Sequence, residues 1–339
     1  MSNLQHPGIA RREFLTRLSV WAGATAITAP NLLGALNPDA GRNAAGLPLR
    51  VLGRTGAKIT ILGLGSAPIG HSQPGAAVGV PVYRAALEAG INYVDTAHIY
   101  DDAETYLGEL MPQWRDKIFL TTKARPDSND PAEAARQMQQ QFEQSLRLLK
   151  TDHVDLLHIH SVADKDPAML LASGGPMDFV KKMKDRGLTR FIGVTAHNRH
   201  ARVAELLKTG AVDVLMVPLN FADYHQYRFE SEILPLACQH QCGILAMKVY
   251  GGHDNNFAGY RKRGPSKMPT DFLERSLRYS LGVPGVAGAV VGVYGAEEVA
   301  QNVAWAKSWK PLASEEIAAL REAGQKLAAT WGPRFGPIA

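Results

Sequence analysis

Cysteine is nearly absent from this 339-residue chain: only Cys238 and Cys242 occur, four positions apart. Two thiols allow one disulfide but neither a disulfide framework nor a metal-binding set. Charge is also modest, at 20% of residues with a formal net of +5. Arg11, Arg12, Arg17 and Glu13 put +2 of that into the first 35 residues, leaving +3 for the remainder. Such a balance does not make a nucleic-acid surface. Long apolar runs are missing as well. The greasiest stretch, Leu18 to Ala29, is too short to span a bilayer comfortably. Finally, no G-x-G-x-x-G follows an early strand, which removes the best sequence support for an open dinucleotide-binding sheet.

What is present begins with an export signal. Arg11-Arg12-Glu13-Phe14-Leu15 precedes the small-residue apolar run and Pro30, the layout of a signal peptide over residues 1–35. Paired arginines followed by x-Phe-Leu resemble the twin-arginine signal, which carries folded proteins across a membrane. The expected partner is that export machinery and the expected location is the periplasm, with no membrane span left after processing. Residues 36–47 read as a linker, 48–330 as one folded domain and 331–339 as a Gly/Pro tail.

The folded part opens with a hairpin, Leu49–Leu52 and Lys58–Ile61 about the turn at Arg54-Thr55-Gly56, with Pro48 at its edge. Short Val/Ile/Leu-rich runs then alternate with helical segments. The runs are centred on 62–65, 91–95, 118–122, 154–159, 190–194, 212–217, 243–247 and 286–291. They lack polar alternation, as strands buried on both faces do. Eight β-then-α repeats over roughly 290 residues predict a closed (β/α)8 TIM barrel, an α/β fold with an N-terminal β-hairpin. In such a barrel, function sits at the C-terminal ends of the strands and in the loops beyond them.

Those ends carry Asp95, Lys123 and His160 in order, and Tyr100 hangs in the loop after Asp95. Together they suit carbonyl chemistry. A buried Lys123 ammonium is expected to lower the Tyr100 pKa, and Asp95 to keep that lysine charged. His160 can donate to a substrate oxygen, and Tyr100 can give it a proton. Gly65, at the end of the first strand, allows a ligand close approach. His158-x-His160 has the spacing of two metal ligands on one strand face, and His197 is one candidate for a further ligand, but the last strands end in Met247 and Val291, so no metal is expected.

Several blocks resemble the aldo-keto reductase family across almost all of residues 48–305. They are Leu52-Gly-Arg-Thr-Gly56, Leu62-Gly-Leu-Gly65, Asp95-Thr-Ala-x-x-Tyr100 with Glu104 and Leu107-Gly108, Thr121-Thr-Lys123, Val154–His160 and Gly193-Val-Thr-Ala-His-Asn198. The resemblance implies a nicotinamide-dependent oxidoreductase acting on a small carbonyl substrate, an aldehyde or ketone. It implies Asp95, Tyr100, Lys123 and His160 as the catalytic tetrad, with Tyr100 as general acid. Cofactor contacts are implied for Gly65, Thr195, Asn198, Met216, Met247, Lys248, Gly292, Glu298 and Asn302. Met216 stands where the family commonly places a glutamine against the nicotinamide carboxamide, and Met247 where a tyrosine commonly stacks on the ring. Glu298 replaces an arginine common in NADP-using members. NADP is the expected cofactor, with NAD the alternative. Two other functions fit a barrel of this pattern: a cofactor-binding sensor or partner subunit with little turnover, and a metal-dependent hydrolase.

Overall fold

A computed structural model of the chain describes residues 39–253 and 256–338. The signal-peptide reading of residues 1–35 lies outside them. Eight strands close into a parallel barrel: β4 (Leu62–Gly65), β5 (Tyr93–Asp95), β6 (Phe119–Ala124), β7 (Val154–Ile159), β8 (Thr189–Thr195), β9 (Val214–Pro218), β10 (Gly243–Met247) and β11 (Val286–Gly292). Neighbours in the ring follow chain order, with β11 pairing back onto β4. Both faces of β6 and β7 are buried along their whole length, which is why these strands carry no polar alternation. The helices flank this ring; that of Pro131–Leu148 starts where the Asp130 carboxylate accepts from the Glu133 amide at 2.8 Å.

Ahead of the barrel, β1 (Asp39–Arg42), β2 (Pro48–Val51) and β3 (Lys58–Thr60) form a separate antiparallel sheet. The segment expected to be a linker therefore supplies a third strand to the expected hairpin. β1 has no apolar run to announce it, and its partner strand β2 brings it into register. Leu52 and Ile59 join Tyr93, Phe119, Leu156 and Leu245 in the apolar cluster that fills the barrel interior. Arg54 fastens the hairpin turn to the N-terminal end of the barrel, donating to the Gly210 and Val212 carbonyls at 2.8 Å and to Asp213 at 3.0 Å. With one end plugged, the C-terminal ends of the strands are left to form a site.

Two other segments depart from sequence expectation. The helix expected over 229–238 is split into a π-turn, Phe229–Ile233, and an α-helix, Leu234–Gln239, with Pro235 in its first turn. Proline lacks the amide that a continuous helix would need there. The tail beyond the last helix, Ser314–Trp331, folds back across the barrel mouth. Arg334 donates to both carboxylate oxygens of Asp223 at 2.8 Å and to the Gly251 carbonyl, all in a nearly water-free setting. The Phe335 amide donates to the Tyr227 hydroxyl at 2.8 Å.

Candidate active site

Asp95 ends β5, Lys123 lies near the end of β6, and His160 follows β7. Because these strands are adjacent and parallel, with Asp95 opposite Thr121 and Lys123 opposite His158, the three side chains converge at one sector of the mouth. Tyr100 is carried there by the loop after β5. That loop turns at Asp101, whose φ of +42° lies in the left-handed region, and the helix Ala103–Gly108 begins only beyond it.

Lys123 is 2% exposed and Asp95 4%. The Lys123 ammonium donates to Asp95 Oδ2 at 2.6 Å and to the Thr96 carbonyl at 2.8 Å. It lies 3.5 Å from the Tyr100 hydroxyl and 4.8 Å from the centre of that ring. Burial pulls Lys123 below the ordinary lysine range and pushes Asp95 above the carboxylate range, each opposed by the attraction between the two. Tyr100 departs from expectation. Burial, then the Asp95 charge, holds its pKa above the ordinary phenol value. The ammonium is committed to Asp95 and Thr96, so the phenol keeps its proton in the resting site.

His160 meets Tyr100 edge-to-face, with ring centres 5.9 Å apart. Burial first, and the Lys123 charge second, hold its pKa well below the ordinary histidine value, so the imidazole is neutral. Its buried Nδ1 has no hydrogen-bond partner among the described residues. Placing the proton on Nε2 leaves only a lone pair unmet inside and keeps an N–H donor for the mouth.

Behind Tyr100, Glu104 is buried and accepts from the Thr122 hydroxyl at 2.6 Å. This ties the helix after Tyr100 to the strand of Lys123. Burial raises the Glu104 pKa to about 7. His158 is fully buried, with neither ring nitrogen partnered among the described residues, which also contain no group of three or more metal-ligand side chains.

From Asp95 and Tyr100 a cleft of about 680 Å³ runs over the barrel to Glu298, Asn302 and Trp305. Its size is that of a small-molecule site. Met216, Met247 and Val290 give it an apolar floor, and Lys248 and Arg263 bring positive charge to its walls. Residues 250–253 and 260–270 cover one side. Tyr260 accepts from Lys248 at 2.9 Å, Arg261 pairs with Asp101 at 3.0 Å, and Arg263 donates to the Tyr294 carbonyl. A flat aromatic ring suits the floor and a pyrophosphate suits the cations, so the chemistry of this lining fits a nicotinamide dinucleotide.

Of the residues expected at the cofactor, Gly65, Met216, Met247, Lys248, Gly292, Glu298 and Asn302 line this cleft. Glu298 is turned to its own loop, accepting from the Tyr294 amide at 2.7 Å, while Asn302 is held by the Tyr250 hydroxyl and the Glu298 carbonyl. Thr195 and Asn198 do not line it. The Thr195 hydroxyl is occupied by the Ser161 amide at 2.9 Å, and the Asn198 amide donates to the Phe335 carbonyl of the tail. His197, between them, faces the cleft in their place.

A closed parallel barrel with a proton-holding phenol in a cleft whose lining fits a dinucleotide is the arrangement of a carbonyl oxidoreductase. The model of the aldo/keto reductase family matches residues 61–254, and the chain belongs to that family. It is an NAD(P)-dependent oxidoreductase. It is 27% identical to the uncharacterized oxidoreductase YqkF of Bacillus subtilis (strain 168) over 304 residues, which cover 80% of this chain and 95% of that relative. An aldo-keto reductase from Bacillus halodurans, solved in its holo form, superposes with a TM-score of 0.64 at 23% identity, covering 83% of this chain and 96% of its own. One from Klebsiella pneumoniae, solved in complex with NADP and acetate, gives 0.60 at 23% identity over 81% and 95%. At that identity both speak for the fold.

Proposed function

We propose that the protein reduces an aldehyde or ketone with NADPH, with Tyr100 as the general acid, and that it does so after export by the twin-arginine route. The observation that carries the chemistry is the Tyr100 hydroxyl, at the cleft and 3.5 Å from a buried ammonium. When bound, NADPH would supply the hydride for the carbonyl carbon. As charge grows on the carbonyl oxygen, Tyr100 gives it a proton. Lys123 then faces the phenolate left behind and stabilises it more than it stabilised the phenol, so the interaction favours the transition state. Asp95 holds the lysine in place, and the neutral His160 offers a second N–H donor at the mouth.

NADP in place of NAD is supported by the Klebsiella pneumoniae relative solved with NADP. The cations Lys248 and Arg263 beside the cleft favour an anionic cofactor of either kind. Export rests on Arg11-Arg12-Glu13-Phe14-Leu15 and the short apolar run after it. No helix among the described residues is long and apolar enough to cross a membrane.

The test is loss of NADPH absorbance with a panel of aldehydes and ketones, for the parent and Tyr100→Phe. Removing a general acid typically lowers the rate about 10²–10⁴-fold. NADPH affinity should stay within about twofold, since the phenol donates to the substrate oxygen and not to the nucleotide. A Tyr100→Phe enzyme with parental kcat would sink the assignment.

A further inference from the structure

The cleft floor poses a chemical problem that its strands do not solve. Around the barrel, from β8 to β5, it is built by His197, then Met216, Met247, Val290 with Gly292, Gly65, and finally Asp95 with Tyr100. A nicotinamide ring lying on this floor brings a carboxamide with one acceptor oxygen and two N–H donors. An amide buried without partners costs on the order of 1–3 kcal/mol. The thioethers of Met216 and Met247 are weak acceptors and donate nothing. Asp95 is bonded to Lys123 at the opposite side of the floor.

We propose that His197 is the side chain that hydrogen-bonds the nicotinamide carboxamide in this protein. It faces the cleft beside Met216, and its imidazole has no hydrogen-bond partner among the described residues. Of the polar residues on either side of it in the chain, Thr195 accepts from the Ser161 amide and Asn198 Nδ2 donates to the Phe335 carbonyl, and neither residue lines the cleft. The ring is also held in position. Phe335 packs against it, with centres 5.6 Å apart and planes tilted by 53°. Phe335 is fixed in turn by Asn198 and Tyr227, and by the Arg334–Asp223 pair one residue before it. The folded-back tail thus acts as a backing for His197.

Electrostatics agree with the role. Burial, then the charges of Lys248, Lys123 and Arg334, push the His197 pKa down to about 3. The imidazole is therefore neutral at working pH, with one N–H donor and one acceptor nitrogen, and matches either end of an amide.

The inference rests on the nicotinamide reading of the cleft, and binding separates the two. Dissociation constants would be measured for NADP⁺, for its thionicotinamide analogue (a poorer acceptor) and for its 3-acetylpyridine analogue (no amide N–H). Adenosine 2′-phosphate 5′-diphosphoribose, which lacks the nicotinamide, reports that the site is folded. The proteins are the parent, His197→Ala, His197→Phe, His197→Gln and, as the control for a rival donor, Ser66→Ala, which removes the hydroxyl that lines the cleft just after β4.

For the parent, NADP⁺ should bind more tightly than at least one analogue. In His197→Ala and His197→Phe, that preference should collapse toward one while NADP⁺ weakens roughly 3- to 10-fold, the loss of one neutral hydrogen bond. The ribose-phosphate probe should be unaffected, and His197→Gln should keep most of the preference. A parent that discriminates against neither analogue overturns the inference. So does a preference that survives in both His197→Ala and His197→Phe, or that vanishes in Ser66→Ala with His197 intact. If the parent binds the ribose-phosphate probe and NADP⁺ equally well, the nicotinamide end of the cleft has itself been misread. If it binds neither, the oxidoreductase reading of the cleft fails with it.

Discussion

Replacing Lys123 by methionine keeps the length of the side chain and removes its charge. Asp95 Oδ2 then loses an ammonium at 2.6 Å, and Oδ1 has no hydrogen-bond partner among the described residues to begin with. An ion pair broken at this depth costs about 3–5 kcal/mol, because the surviving charge is unpaired. Protonation offers Asp95 a way out. At pH 7, placing a proton on a carboxyl of ordinary pKa near 3.9 costs roughly 4 kcal/mol, at about 1.4 kcal/mol per pH unit. The two figures are close, so the buried carboxyl in the variant is expected to become neutral.

The sign of the pH dependence follows. Burial already raises the Asp95 pKa in the parent, and the variant lacks the Lys123 attraction and hydrogen bond that oppose this rise. A raised folded-state pKa gives stability that is present below the unfolded value and lost as pH climbs. The stability deficit of Lys123→Met should therefore be about 4–5 kcal/mol at pH 7, including about 1 kcal/mol for the unmet Thr96 carbonyl. It should shrink by up to ~1.4 kcal/mol per unit toward pH 5. Urea unfolding at pH 5, 6 and 7 would measure it, beside Asp95→Asn and the double variant. The double variant should be more stable than Lys123→Met at pH 7 and should lack its slope. A deficit that stays flat from pH 7 to pH 5 would show that Asp95 carries no charge that Lys123 supports.

The remaining expectations concern groups that the structure buries and the export signal. Glu104→Gln should remove a loss of parental stability that begins above the unfolded pKa, near 4.5, and levels off above about 7, where the folded group titrates; stability curves of the pair should diverge by on the order of 3 kcal/mol across that window. Arg334→Met leaves Asp223 buried and unpaired, which should cost about 3–5 kcal/mol and expose the tail to limited proteolysis; unchanged protection would mean that the latch does not hold the tail. Arg11→Lys with Arg12→Lys keeps the charge but not the guanidinium pair, so the precursor should accumulate, folded, inside the cell. Mature protein still found outside the membrane would refute the twin-arginine reading.

The barrel was legible because its cause is local. The strands from β4 to β11 are short, mostly apolar runs, buried on both faces except at Arg190 and Phe191 near the start of β8 and Gly292 at the end of β11, and each run is followed by a helical segment. Asp95, Lys123 and His160 were legible for a related reason: polar residues that close such runs have only the barrel mouth to occupy. β1 was not, since its residues Asp39-Ala-Gly-Arg42 have no apolar pattern and become a strand only by pairing with β2. Nor was the state of Tyr100. Lys and Tyr close in space suggest a lowered phenol pKa, but which partner an ammonium prefers is decided by distances, and Asp95 is nearer than Tyr100 by 2.6 Å to 3.5 Å.

Thr195, His197 and Asn198 show most clearly where sequence reasoning ends. Along β8 itself the two-residue alternation tells which side chains point inward, but the strand stops at Thr195. Beyond it the backbone turns, reaching the left-handed region at Arg199 with φ of +39°, so position no longer predicts direction. Asn198 has the side chain that would best hold an amide, yet a carbonyl 137 residues away, in the tail, takes its N–H. The same tail sets Phe335 against His197 and leaves that ring facing the cleft. The polar group available to a cofactor is thus chosen by a long-range contact that no local pattern encodes. Cutting that contact should shift cofactor affinity even though no described residue of the tail lines the cleft.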